Sequence, residues 1–283
     1  MTVDNIFNVV VIIYSMSNLA SLGMELNLRE TIRSLGNFRL IIFTLFFGWI
    51  AGPAFALLLA KVLPMDPSYG TGLIISSLAP VAPFFPILMR KSNSDKDFAG
   101  ALMPLAMVAT VVMLPLIGSF MIKGLTVNIW SLAKPLLLLI LLPLVGGILL
   151  RLYAARFTDR IFPAMKRLAG ITTVIAMLFV LVLYFPDFIS ILGSFAIGAQ
   201  VLFVFGIMFI SYYLSFGLKK NQASAIALGM GSRNPAAMLV VYMALQITDP
   251  KMLLMILLAG PIPGIASYFM TKFFGSRNAK NSL

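Results

Sequence analysis

The 283-residue chain is 60% hydrophobic and only 11% charged, a balance that cannot cover a water-facing surface and that marks an integral membrane protein. Cysteine and histidine are both absent, which excludes a disulfide framework, a thiolate metal site and the commonest general base or nitrogen ligand. The net charge of +12 falls in alternate loops rather than on one face, so it reads as membrane topology and argues against nucleic acid as a partner.

Apolar stretches of about 20 residues recur along the chain, and no polar stretch is long enough for a separate soluble domain, so residues 1–283 read as one domain. Nine spans are predicted, at roughly 5–26, 38–63, 71–90, 98–123, 131–153, 169–190, 195–218, 223–247 and 251–274. The first is flanked by Asp4 rather than by positive charge and lacks an Ala-x-Ala cleavage site, so it reads as a membrane helix and not as a secretory signal. Pro80, Pro83 and Pro86 interrupt the third span. The tract 169–218 divides at Pro186 and Asp187, because a single helix of that length would overrun the hydrocarbon core. The eighth span carries Gly231-Ser232-Arg233-Asn234-Pro235 at its middle, and the ninth carries Gly260-Pro261-Ile262-Pro263-Gly264, read as a kink.

Loop charge gives the orientation. Arg29 and Arg33, then Arg90, Lys91 and Lys96, then Arg156, Arg160, Lys166 and Arg167, then Lys219 and Lys220 occupy alternate connections. The intervening ones hold Lys61, Lys123, Lys134 and Lys251, with Asp4, Asp66, Asp187 and Asp249 among them. The positive-inside bias predicts a multi-pass protein of the cell membrane with its N-terminus outside and its C-terminus, bearing Arg277 and Lys280, in the cytoplasm.

Two interrupted spans, one in each half, point to the midplane site of a secondary transporter. Phe47-Gly48 and Phe205-Gly206 recur 158 residues apart and Pro80 and Pro235 recur 155 apart, with the third and eighth spans running in opposite directions, as inverted repeats require. A break in lipid must be buried or face water, and half-helix N-termini bring partial positive charge to the membrane centre. Arg233 adds a planar cation matched to a carboxylate or sulfonate, so the predicted substrate is a small organic anion. The competing role for Arg233 is to cap carbonyls of the other broken helix. Asn234 and Ser232 beside it, Ser77 before the prolines, Thr110 in the fourth span and the prolines themselves complete the candidate substrate-binding set: Arg233, Asn234, Ser232, Pro80, Pro83, Pro86, Ser77 and Thr110. Ser76 and Gln200 are further polar candidates. No catalytic or metal residue and no cofactor is expected. A central acid for proton relay is missing, because Glu25 lies near the end of the first span.

The order of motifs resembles that of the bile acid:sodium symporter family over nearly the whole chain. Gly23-Met24-Glu25-Leu26-Asn27-Leu28 is similar to the family's Gly-Met-x-Leu-x-Leu signature. Leu78-Ala79-Pro80 and Val81 to Pro86 occupy the place of its first broken helix, and Gly229-Met230-Gly231-Ser232-Arg233-Asn234 that of its second. The resemblance implies an all-α polytopic fold of nine transmembrane helices in inverted repeats, with two crossing broken helices. It implies a core domain (about 38–123 and 195–274) moving against a panel domain (about 5–26 and 131–190), and bile-acid-like or other amphipathic anions carried with sodium. The family's sodium-binding Ser-Asn corresponds to Phe85 and Pro86, its Glu to Gly229 and its Gln to Arg233. Those replacements remove side-chain oxygen and introduce a cation, which predicts sodium-independent transport by alternating access.

Other readings stay open: sodium-coupled symport of the same substrates, an anion channel with a cationic constriction, or a non-transporting receptor on the same fold. An enzyme is not expected, since the spans lack His, Cys and a central acid. Oligomeric state is not legible.

Overall fold

The computed structural model describes residues 3–121, 129–245 and 249–280. Lys123 and the predicted span ends at 122–123 and 246–247 lie outside them. The described residues are helical, with no strand among them, as a chain must be where lipid offers no hydrogen-bond partner to its backbone.

Helices α1 (Val3–Glu25), α2 (Leu28–Leu35), α3 (Phe38–Phe46) and α4 (Gly52–Val62) come first, with a π-helical turn over Phe47–Ala51 joining α3 to α4. They are followed by α5 (Pro67–Ser77), α6 (Phe85–Lys91), α7 (Lys96–Met121) and α8 (Ile129–Leu136), the last running through a second π-turn (Leu137–Leu141) into α9 (Leu142–Tyr153). The rest are α10 (Ala155–Leu183), α11 (Phe185–Ser190), α12 (Ala196–Tyr213), α13 (Lys220–Gly231), α14 (Pro235–Leu245), α15 (Pro250–Leu258) and α16 (Pro261–Lys280). Among the described residues, five helical runs are long and apolar enough to cross a membrane: Phe38–Val62, Lys96–Met121, Ile129–Tyr153, Ala196–Tyr213 and Pro250–Ala279.

Three features depart from the sequence expectation. Arg156, Arg160, Lys166 and Arg167, expected in a connection, lie on α10, which begins at Ala155 rather than near 169. The connection bearing Arg29 and Arg33 is itself the short helix α2, packed on α7. The ninth span is divided at Ala259 and Gly260 into α15 and α16, a full break rather than a kink.

Packing falls into two parts. Helix α1 lies chiefly against α9 and α10. Its approach to α9 depends on two glycines: a Cβ on Gly23 would sit 2.2 Å from the Leu144 carbonyl oxygen, and one on Gly147 would sit 2.3 Å from that of Ala20. Gly23 opens the Gly-Met-x-Leu-x-Leu segment, so its place in that motif has a steric cause. Elsewhere α5 packs on α4 and α15, α13 on α12, α16 and α7, and the main apolar core runs through these helices.

Helices α5 and α15 begin with the same Asp-Pro device. Asp66 accepts the Ser68 amide at 2.9 Å and Asp249 accepts that of Lys251 at 2.9 Å, while Pro67 and Pro250 take the first helical positions. The caps are cross-linked, because Ser68 Oγ donates to Asp249 and Lys251 Nζ to Asp66. That ammonium holds the Asp66 carboxyl below the usual carboxylate range.

Gly23→Ala and Gly147→Ala should each destabilise the purified protein by about 1–3 kcal/mol, the usual cost of overpacking. Thermal unfolding in detergent measures it. An unchanged midpoint would mean that α1 and α9 do not approach this closely.

Candidate functional site

The two broken helices meet at their breaks. Helix α5 ends at Ser77 and α6 begins at Phe85; α13 ends at Gly231 and α14 begins at Pro235. Between them Pro80 and Arg233 pair as an antiparallel bridge. The Val81 amide donates to the carbonyls of Gly229 and Ser232, both at 3.1 Å, and the Asn234 amide donates to Ala79 at 3.0 Å. Ser232 Oγ accepts the Ala82 amide at 3.2 Å and donates to the Gly229 carbonyl at 3.0 Å. Each unwound segment thereby supplies the hydrogen bonds that the other lacks, which is the condition for non-helical backbone at membrane depth. Val81 reaches this pairing at φ 66°, a costly conformation for a β-branched residue, held by its two bonds.

Arg233 is 1% exposed. Its Nη1 donates to the Ser77 carbonyl at 3.2 Å, and its Cζ lies 4.7 Å from the Phe203 ring centroid on α12. The charge therefore faces the C-terminal, electronegative end of α5, where a cation is favoured, and rests on an aromatic face that attracts one. Nε has no hydrogen-bond partner among the described residues. The next carbonyl, that of Leu78, accepts Trp49 Nε1 at 3.1 Å from the π-turn of the preceding helix. That turn sits where π-bulges commonly do, beside an unusual backbone feature.

Ser77, Pro80, Ser232, Arg233 and Asn234 are thus brought together, but most of their polar groups are engaged. Asn234 Oδ1 accepts the Ala237 amide at 3.3 Å, a cap on α14. Ser77 Oγ bonds back to Ile74 at 2.6 Å, so it is the Ser77 carbonyl that serves the crossing. Ser76 Oγ bonds to Gly72 at 2.8 Å, and Thr110, buried on α7, to Ala106 at 2.7 Å, both within their own helices. Pro83 is half-buried in the first break, and Pro86 stands at the start of α6. Pro86 lines a cavity of about 280 Å³ that also touches Leu22, Glu25, Met89, Arg90 and Lys96, between α1, α6 and α7.

The backbone carbonyls at the crossing are drawn into hydrogen bonds. The carbonyls of Ser77, Leu78, Ala79, Gly229 and Ser232 all accept bonds. At Gly229 a Cβ would already lie 2.8 Å from Leu102 Cδ2 and 3.4 Å from Phe85 and Val81, so apolar groups fill the place of a longer acidic side chain.

Several participants escaped sequence reasoning. Trp49 and Phe203 lie in apolar runs and carry no signal in the sequence that sets them apart. Two Asp-Pro dipeptides, Asp66-Pro67 and Asp249-Pro250, carried a legible helix-start signal. Gly206, the counterpart of Gly48 in the repeat, packs on Phe55, whereas Gly48 packs on Pro80; it is Gly231 that meets α12, against Met208. Gln200 is fully buried, and neither amide atom has a hydrogen-bond partner among the described residues.

An all-helical bundle with several membrane-length helices, in which two interrupted helices meet at their breaks, is the construction of a multi-pass membrane transporter. Residues 10–194, well over half the chain, match the model of the sodium bile acid symporter family, and the chain belongs to that family. The match includes the first break and ends before the second. Comparison with curated proteins finds no match.

Trp49→Phe should cost about 1–3 kcal/mol of stability, because it leaves a buried carbonyl unsatisfied. Chemical or thermal denaturation of the two purified proteins compares them, and equal stability would remove Trp49 from the account of the crossing.

Proposed function

We propose that the protein is a secondary transporter of a small organic anion, a bile-acid-like or other amphipathic carboxylate or sulfonate, working by elevator-type alternating access without sodium. The carrying observation is Arg233: a fully buried guanidinium at the carbonyl end of α5, in the position that corresponds to the family's glutamine. A fixed cation there does electrostatically what a bound sodium would do, holding the Ser77 carbonyl and keeping the crossing positive. The N-termini of α6 and α14 end at the same place and add partial positive charge. The substrate is then met by Arg233, Asn234, Ser232, Ser77, Pro80, Pro83, Pro86 and Thr110 once the crossing is uncovered. The cavity at Pro86 opens at the start of α6, beside Arg90 and Lys96.

The grouping of helices supports a moving core and a panel. Taking α3–α4, α5–α6, α8–α9, α13–α14 and α15–α16 as single crossings alongside α1, α7, α10 and α12 gives nine transmembrane helices, with the two broken ones in inverted repeats. Helix α1 with α8–α9 and α10 forms the panel (about 5–26 and 131–190), and residues of about 38–123 and 195–274 form the core. A small cluster of Tyr14, Ala176 and Ala236, separate from the main apolar core, lies where α1 and α10 meet α14, a boundary suited to sliding. The basic end of the bundle faces the cytoplasm by the positive-inside bias, which puts the N-terminus outside.

Sodium-coupled symport is the second reading, favoured by the family itself. Proteoliposomes separate the two. Under the proposal, uptake of a transported anion shows saturable counterflow, is unchanged when choline replaces sodium, and falls at least tenfold in Arg233→Gln. Uptake that requires a sodium gradient establishes the symporter, and large unitary anion currents establish a channel.

A further inference from the structure

Two lysines distant in sequence converge on one exposed aromatic ring at the basic end of the bundle. Lys91, the last residue of α6, holds its Nζ 4.4 Å from the Tyr268 ring centroid, and Lys272, one turn beyond Tyr268 on α16, holds its Nζ 5.9 Å from the same point. The two ammonium groups are therefore no farther apart than the sum of those distances. Neither forms an ion pair among the described residues. A third cation adds to the field: Arg277, farther along α16, has its Cζ 4.5 Å from the Phe273 ring and donates Nη1 to Tyr213 Oη at 3.2 Å. Like charges gathered on one ring repel each other, and the π face compensates each only weakly. An anion between them would neutralise both.

Depth identifies the source of that anion. Helix α16 starts after a break that lies beside the crossing, where a Cβ on Gly260 would be 3.8 Å from Pro235 Cγ. At 1.5 Å per residue, Tyr268 is then about 12 Å and Lys272 about 18 Å along α16 from mid-depth, against a hydrocarbon half-thickness of about 15 Å. The ring lies at the edge of the acyl region and the ammonium groups at headgroup level. Directly below, Ile265 is 59% and Phe269 60% exposed, apolar residues facing the acyl chains.

The geometry points to a binding site for an anionic phospholipid, with its phosphate between Lys91 and Lys272, its headgroup against Tyr268 and an acyl chain along Ile265 and Phe269. Basic recesses between helices at this level recognise such headgroups. The lipid would bridge the end of the first broken helix to the last helix. The protein links the same two elements just beside it, where Asn278 Nδ2 donates to the Ser92 carbonyl and to Ser224 Oγ, both at 2.9 Å. Lipid occupancy would therefore strengthen the union of α6, α13 and α16.

The test uses the full chain in detergent, with native mass spectrometry and thermal unfolding in the presence of phosphatidylglycerol, phosphatidylcholine or inorganic phosphate. Phosphatidylglycerol should be retained in the gas phase and raise the unfolding midpoint by several degrees, while the other two leave it unchanged. The double variant Lys91→Gln, Lys272→Gln should lose at least nine-tenths of bound phosphatidylglycerol, and Arg160→Gln, Arg167→Gln on α10 should keep it. Tyr268→Leu preserves bulk and removes the π face; it should weaken retention severalfold, and it serves alone should the double variant fail to fold. Equal stabilisation by phosphatidylcholine, a full shift from inorganic phosphate, or equal loss in the α10 variant would each overturn the site.

Discussion

A hydrocarbon interior offers no hydrogen bond to an unwound backbone, and everything at the centre of this protein follows from that constraint. Two helices break at the same place and satisfy each other: Val81 and Asn234 donate across the gap, Ser232 accepts across it with its carbonyl and its hydroxyl, and Arg233 reaches the last turn of α5. None of these bonds could form if either helix ran on, so the breaks are mutually required. Supporting elements are fitted to the crossing. Trp49 takes the Leu78 carbonyl through a π-turn, Phe203 supplies a face for the guanidinium, and Gly48 and Gly231 leave room for Pro80 and Met208.

Arg233 changes what the crossing can do. Under the proposed function its guanidinium takes the electrostatic role of a mobile cation, and Leu102, Phe85 and Val81 lie close around Gly229. A tethered charge cannot be driven through the membrane by a gradient. On this account the protein keeps the family's architecture while its energetics pass to the substrate alone.

Much of this was legible in the sequence. The prolines at 80, 83 and 86 and the Gly231-to-Pro235 segment announced both breaks, and the buried depth of Arg233 followed from its position within an apolar span. The target of that arginine did not follow: a lone cation in a span is equally suited to a ligand or to helix carbonyls, and only the pairing of the two unwound segments brings the Ser77 carbonyl within reach. The hydroxyls of Ser77 and Thr110 turned into their own helices, a local competition that sequence leaves open. The start of α10 at Ala155 was missed because its first turns are charged and carry no apolar run, although a helix can leave the membrane and continue through the interface.

The most direct measurement of the central claim is the unfolding midpoint of the purified protein as sodium replaces choline at constant ionic strength, for the native chain and for Arg233→Gln. A resident guanidinium predicts no sodium response in the native protein and a lower midpoint in the variant. A sodium-dependent rise in the native protein would contradict it, since a ligand that stabilises the folded state must have a site there.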